Sequence, residues 1–474
     1  MFGRAGRRVA ARVTGATVSA AGAARYNGCE EGVGNEELIT SALRRFISLG
    51  TLAGRVSTSI AGDHLLGAVL SGPARQARRT ENLVRNATRV VETLGQLKGA
   101  AMKVGQMLSL HEGLLPPEVA EVLRTLQRQA PRVPAEVMEY EIRGALDERF
   151  DQLFESVDFA AHSAASIGQV HRGRLRDGRR VAIKIQYPLI DMIVKADLKN
   201  LRAALQALFA LISDVDFEPM WQEVHDRLLE ELDYTNEAAN MRRMAELHAG
   251  SDSIVIPRVI DEATTRNVLT MEQVIGMPPE EACAAATSRE LRDRWGAVLF
   301  EFMLRGLLRD RFLHADPNLA NFAFLPDGRV VVYDFGCVKR VPPELATGYA
   351  RLLLAVIDDR IADIPAILSD MGVAMEDGSQ VPLEMVAAYG EVFAPIYRAS
   401  PPYTFGEDPG LYHRLIQLGL TNWSRAVEIR FPRDVVFVDR TFAGHLGNLI
   451  RLGASGPWRE LAEQYARQAV AASS

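Results

Sequence analysis

Apolar residues recur at helical spacing through the first third of the chain, and 38–130 reads as helical. In Glu81–Leu110 the stripe runs through Leu83, Val90, Leu94, Leu97, Met102 and Leu108. Pro116, Pro117, Pro131 and Pro134 then punctuate a second helix over Glu118–Arg128. Near Phe159 the texture changes. Ile167–Leu175 and Arg180–Gln186 predict two strands, and the Asp177–Gly178 pair between them is a strong hairpin signal. Helical spacing returns from Asp191 to His248, and Ile254–Val259 and Asn267–Val274 predict further strands. From Glu280 onward the text is helical, interrupted by a second predicted hairpin, Phe322–Leu325 and Val330–Tyr333, around Pro326–Asp327–Gly328. The pattern therefore predicts an α+β chain: helices, a small β-rich part, then a larger helical part.

Composition narrows the class only a little. A 48% hydrophobic share in 474 residues allows a sizeable core, and a net charge of −6 argues against a general nucleic-acid binder. Cys29, Cys283 and Cys337 lie too far apart for metal-ligand spacing, and their odd number suits a reducing compartment. No stretch reaches the roughly 18–20 apolar residues of a membrane span. The longest candidates, Ala203–Ile212 and Ala297–Leu308, read as buried amphipathic helices, the second interrupted by Glu301 and Arg305. Residues 1–29 carry Arg4, Arg7, Arg8, Arg12 and Arg25, with no acid before Glu30. Such a segment is a solvated basic tail, a membrane-surface contact or an organelle-targeting segment, and lacks the apolar run of a secretory signal.

The sharpest chemical signal lies between Asp316 and Asp334. His314–Ala315–Asp316 is followed by Asn321, then a hairpin, then Asp334–Phe335–Gly336. A kinase catalytic loop needs this layout: one carboxylate near the attacking hydroxyl or water, and an amide oxygen and a second carboxylate holding Mg²⁺ between phosphates. Each piece alone would be an ordinary structural residue; the combination at this spacing is what points to phosphoryl chemistry. Val181–Ala182–Ile183–Lys184 ends the first hairpin, where a lysine reaches the α- and β-phosphates of ATP. Alone it would be a solvated strand end. Asn267–Val274 would then supply the adenine hinge, with Met271 as gatekeeper, the Glu272 carbonyl and the Val274 amide; the plain alternative is a core strand. The order of elements matches the two-lobed plan of a protein kinase with a helical preface.

Three further stretches resemble the UbiB/AarF (ADCK-type) family of atypical kinases. Lys103–Val104–Gly105–Gln106 is similar to its K-x-G-Q signature. Ser163–Ala164–Ala165–Ser166–Ile167–Gly168–Gln169–Val170–His171 resembles its Ala-rich loop, standing where other kinases have a Gly-rich one. Glu231–Leu232–Asp233 followed by Glu237–Ala238–Ala239–Asn240 resembles its E-x-D motif and αC glutamate. The Asp-Pro-Asn opening and Asn-Phe ending of the catalytic loop look most like the mitochondrial coenzyme-Q kinase branch. The resemblance covers about 90–345.

The resemblance implies a kinase-like fold whose N-terminal helical extension packs over the active site. It divides the chain into a variable basic region (1–80), the K-x-G-Q extension (81–150), an N-lobe (151–275) and a helical C-lobe (276–474). It implies that Lys184 pairs with Glu237, that Asp316 stands as catalytic base, and that Asn321 and Asp334 bind Mg²⁺. Lys103 and Gln106 would point into the pocket toward Glu231, Asp233 and Asp334. Ala164, Ala165 and Ser166 would cover the nucleotide, and their Cβ atoms would stiffen a loop that glycines leave free to approach phosphates.

Expected ligands are ATP and Mg²⁺; expected partners are an anionic membrane surface, quinone precursors and ubiquinone-biosynthesis enzymes, with room for a homodimer. The implied setting is the cytoplasm, peripheral to the inner membrane, or the mitochondrial matrix face. The implied activity is ATP hydrolysis or transfer to a small or lipid-like molecule in support of ubiquinone synthesis. The rival is a nucleotide-gated scaffold for membrane biosynthetic enzymes with incidental turnover. A phosphotransferase of the aminoglycoside type explains neither the K-x-G-Q helix nor the Ala-rich loop. The stretch after Gly336 leaves no convincing room for a phosphorylated activation loop, and the C-terminal membrane helices of many bacterial relatives are not seen.

Overall fold

The computed structural model describes residues 133–165, 167–212, 218–398, 402–408, 410–411, 414 and 429–472. All lie in the compact unit Leu52–Ser474; the other unit, Met1–Thr51, is outside the described residues. The K-x-G-Q stretch with Lys103 and Gln106, the basic residues 1–29 and Ser166 also fall outside them.

Helices α1 (Ala135–Leu146) and α2 (Arg149–Leu153) lead into strands β1 (Phe154–Ala164), β2 (Gly168–Leu175) and β3 (Arg180–Gln186). Helices α3 (Ile190–Ile212), α4 (Glu218–Glu230) and α5 (Tyr234–Leu247) follow, then the short strand β4 (Ile254–Val255) and strand β5 (Val268–Glu272). Strands β1-β2-β3-β5 form one antiparallel sheet in that order. Strand β3 is covered on both sides. Val181, Ile183 and Ile185 join Met138, Ile142 and Leu146 of α1 in the core on one face, which leaves Lys184 on the other.

The Asp177–Gly178 turn forms as its chemistry demands. Gly178 takes a φ of 90° and donates to the Leu175 carbonyl at 2.9 Å, while the Asp177 carboxylate accepts from the Arg179 amide at 3.0 Å. Asp327–Gly328 repeats the device.

Helix α6 (Arg289–Leu304) is capped by Ser288, whose hydroxyl accepts from the Leu291 amide at 3.3 Å. A π-helical turn, Arg305–Arg309, leads to β6 (Phe312–His314), the hairpin β7 (Phe322–Phe324) and β8 (Val330–Val332), and β9 (Val338–Arg340). Strand β8 pairs in parallel with β4 and antiparallel with β7, and β6 pairs with β9. Helices α7 (Pro343–Ile357), α8 (Ile364–Asp370), α9 (Leu383–Arg398), α10 (Arg433–Leu452) and α11 (Trp458–Ala471) follow, with two short antiparallel strand pairs between them, Ala374–Met375 with Ile429–Arg430 and Tyr403–Thr404 with Ser455–Gly456. Helix α10 lies against α6: Arg292 donates to the Leu452 carbonyl at 3.0 Å, and the Ser455 amide donates to Asp293 at 2.7 Å.

Three expectations need correction. Strand β1, with register shifts between Phe154 and Ser156 and between Asp158 and Ser163, is an edge strand that the alternation pattern does not announce. Ile254–Val259 is a strand only at its first two residues, because Pro257 has no N–H to pair. The predicted helix Ala297–Leu308 ends at Leu304, where the chain widens into the π-helical turn.

Candidate active site

Lys184 stands on β3 with its ammonium 2.6 Å from Glu237 Oε1 and 2.9 Å from Asp334 Oδ2. The Lys184 and Glu237 side chains are 10% and 6% exposed, whereas Asp334 is 34% exposed and faces the open side of the cluster. Glu237 reaches this point because Asp233 starts α5 one turn earlier, its carboxylate accepting from the Thr235 amide at 3.0 Å. Tyr234, Ala238, Met241 and Met244 bury the same helix face and fix its rotation. Burial alone would lower the Lys184 pKa, but the Asp334 and Glu237 carboxylates outweigh it and hold it well above the ordinary value. Burial, then Asp334, push the Glu237 carboxyl up to about 7 against the pull of Lys184.

Helix α5 also grips the Asp-Phe-Gly backbone. Glu237 Oε1 accepts from the Phe335 amide at 3.4 Å, and Asn240 Nδ2 donates to the Phe335 carbonyl at 3.0 Å. Asp334 Oδ1 accepts from the Gly336 amide at 3.0 Å. His314 Nε2 donates to the Asp334 carbonyl at 2.7 Å, which leaves Nδ1 as the unprotonated nitrogen. That ring is boxed by Phe302, Phe322 and Phe335, and burial lowers its pKa, so it acts as a neutral strut.

Asp316 follows at the end of β6, half-buried. Its Oδ1 accepts from the Asn318 amide at 3.3 Å, and its carbonyl accepts from Asn321 Nδ2 at 3.2 Å. With its nitrogen so used, Asn321 presents an amide oxygen as its ligand. An amide oxygen and a carboxylate are hard donors that suit Mg²⁺, which takes its other ligands from phosphates and water. Among the described residues no group of three or more His, Cys, Asp or Glu could hold a metal ion. The residues present therefore fit Mg²⁺ carried by a nucleotide.

Ala164 ends β1, and Ala165 donates to the Gly168 carbonyl at 2.9 Å, closing the β1–β2 turn above β3. Gly168 is obligatory here: a Cβ would lie 2.2 Å from the Ile185 carbonyl oxygen. Met271 is buried in β5 beside Ala182, and the Glu272 amide donates to the Arg258 carbonyl at 2.8 Å. The Val274 carbonyl accepts from Tyr333 at 2.8 Å, which ties the segment after β5 to the residue before Asp334. Glu231 lies beside β3, its carbonyl accepting from Gln186 at 3.3 Å. Asp233 is committed to the α5 cap. Asn240, Tyr333 and the residues of α10 lie outside the predicted site, as does the strut role of His314; Asn240, in the Glu-Ala-Ala-Asn stretch, and His314, in the His-Ala-Asp stretch, carry a sequence signal.

Residues 125–367 match the family model described as the ABC1 atypical kinase-like domain. The rat mitochondrial atypical kinase COQ8B is 33% identical over 327 residues, covering 68% of this chain and 61% of the rat protein. Caenorhabditis elegans mitochondrial atypical kinase coq-8 is 30% identical over 334 residues, covering 68% of this chain and 43% of the worm protein. The chain spans about half the length of the curated relatives it matches. A solved structure of Rv3197 with erythromycin, from Mycobacterium tuberculosis, agrees with TM-score 0.60 at 27% identity. It covers 82% of this chain and 98% of that one.

Proposed function

The chain belongs to the ABC1 atypical kinase-like family, as its motifs led us to expect, and from that premise we propose that it binds MgATP and turns it over. One observation carries this reading: Lys184 bonded to both Glu237 and Asp334, across from a loop that presents Asp316 and Asn321. Lys184, held by Glu237, offers its ammonium to phosphate oxygens. Asn321 and Asp334 would hold Mg²⁺, which would supply positive charge to neutralise what develops on the transferred group. Asp316 takes the proton of an attacking hydroxyl or water while the γ-phosphorus bond to the ADP oxygen breaks. The acceptor is water or a small or lipid-like molecule, and the process served is ubiquinone synthesis at an anionic membrane surface. The motif resemblance supports that assignment. No helix among the described residues is long and apolar enough to cross a membrane, so in this proposal contact with lipid uses a surface.

The experiment is nucleotide binding and ADP release by pure protein, with and without anionic liposomes and quinone-precursor phenols, for wild type and Asp334→Asn. Loss of Mg²⁺-dependent binding and of turnover in the variant is expected. Unchanged MgATP affinity in folded Asp334→Asn would refute the assignment. Tight binding with no ADP release by wild type under any condition would instead mark a nucleotide-gated scaffold.

A further inference from the structure

Helix α10 lies beyond the residues that the family model matches, which end at 367, yet it reaches the catalytic loop. Asn448, 5% exposed, donates from Nδ2 to the Pro317 carbonyl at 2.7 Å. One turn earlier Gly444 makes room for the Pro317 ring: a Cβ there would lie 2.3 Å from Pro317 Cγ. Two turns before Gly444, Phe437 packs on Ala315 and Cys337, the neighbours of Asp316 and Gly336. Asp434 pairs with Lys339 of β9 at 2.6 Å. One face of α10 thus meets both segments that carry the catalytic and metal-binding carboxylates.

The Asn448 bond has a specific effect. The peptide between Pro317 and Asn318 is planar, and in the trans form its C=O and N–H point in opposite directions. Its carbonyl is held by Asn448; its N–H donates to Asp316 Oδ1 at 3.3 Å. Fixing one end of the plane aims the other. We propose that Asn448 is a positioning residue for phosphoryl transfer, orienting the Pro317–Asn318 peptide so that its N–H holds the Asp316 carboxylate in line for proton abstraction. This rests on the assignment of Asp316 as base in ATP turnover.

The test compares wild type, Asn448→Leu (similar in shape, without the donor) and Asn448→Ala, each with and without Asp316→Asn. In either variant kcat for ADP release should fall about tenfold, a cost in positioning. The KM for MgATP should change less than kcat, because Lys184, Glu237 and Asp334 sit on other elements and Asn321 alone of the nucleotide-holding residues shares the loop. In the Asp316→Asn background the same substitutions should add nothing, since Asn448 acts only through that carboxylate. The backbone amide of Asn318 should exchange with solvent faster in both variants. Wild-type kcat in the Asn448 variants overturns the inference, as does a full further loss on top of Asp316→Asn. Should wild type release no ADP, the turnover assignment falls by itself. The exchange measurement then decides: unchanged protection at Asn318 means that Asn448 does not set this peptide.

Discussion

Replacing Lys184 with Met keeps the length of the side chain and removes its charge. Two carboxylates then face each other across the gap, Glu237 at 6% exposure and Asp334 at 34%, where an ammonium had stood 2.6 and 2.9 Å away. Removing one partner of a buried pair costs about 3–5 kcal/mol, because the other charge stays buried and unpaired. The penalty should reach the upper end of that range here only if Glu237 stays ionised; its carboxyl, already pushed up to about 7, takes up a proton instead. The expected loss is therefore nearer the lower end, about 3 kcal/mol, or a few degrees in Tm. Combining Lys184→Met with Glu237→Gln removes both charges, and the amide oxygen that Glu237→Gln leaves in place can still accept from the Phe335 N–H. The double variant should recover most of the stability while remaining unable to bind nucleotide. Chemical denaturation at pH 8 and calorimetry of MgATP binding on the single variants, the double variant and wild type decide the matter. If Lys184→Met costs under about 1 kcal/mol, or if the double variant loses the sum of the single losses, the pair is not the buried, coupled unit described here.

Other expectations are narrower. Gly168→Ala drives a Cβ against the Ile185 carbonyl oxygen, so it should cost about 1–3 kcal/mol and weaken nucleotide binding by displacing the strand that carries Lys184. Thermal melts and titration check both. Ala165→Gly removes a Cβ from the β1–β2 turn and lets the backbone approach phosphates, so MgADP affinity should rise about threefold in calorimetry. Burial, aided by the Arg305 charge, lowers the His248 pKa to about 4. A histidine whose folded pKa is depressed contributes stability that is complete above its ordinary pKa of 6.5 and is lost as pH falls toward 4. Between pH 8 and pH 5 that loss is about 2 kcal/mol, and His248→Phe should flatten the pH dependence of Tm over this window.

The turns and the phosphate-handling residues were legible because their signals are local. Asp177–Gly178 and Asp327–Gly328 specify their own hairpins, and the Asp316-to-Asp334 spacing is nearly closed by one of them. The Lys184–Glu237 pair spans 53 residues and two intervening helices, so only the motif resemblance suggested it. Strand β1 stayed hidden because its register shifts erase the alternation that marks a half-buried strand. The Asn448–Pro317 bond joins residues 131 apart, and nothing in a helical apolar stripe says which polar member turns inward. Tyr333 reads as the end of a core strand; that its hydroxyl reaches the Val274 carbonyl follows only from how β8 lies beside the segment after β5. The Lys103 and Gln106 expectations lie outside the described residues.

The seating of α10 on the catalytic loop also has a meaning in time. A ribosome delivers Lys184, Glu237 and Asp334 well before Asn448, which follows Asp334 by 114 residues. At ordinary elongation rates that gap is roughly 6–23 s. During it the nascent chain owns its phosphate-holding groups while its base loop has nothing beneath it. On the proposed function, nucleotide met in that interval would be a folding ligand before it is a substrate, stabilising whatever conformation it binds by mass action. Growth in energy-starved cells would then lower the yield of folded protein without any change in its message. Moving the codons for α10 ahead of the β1 segment, by circular permutation, would weaken that dependence on ATP.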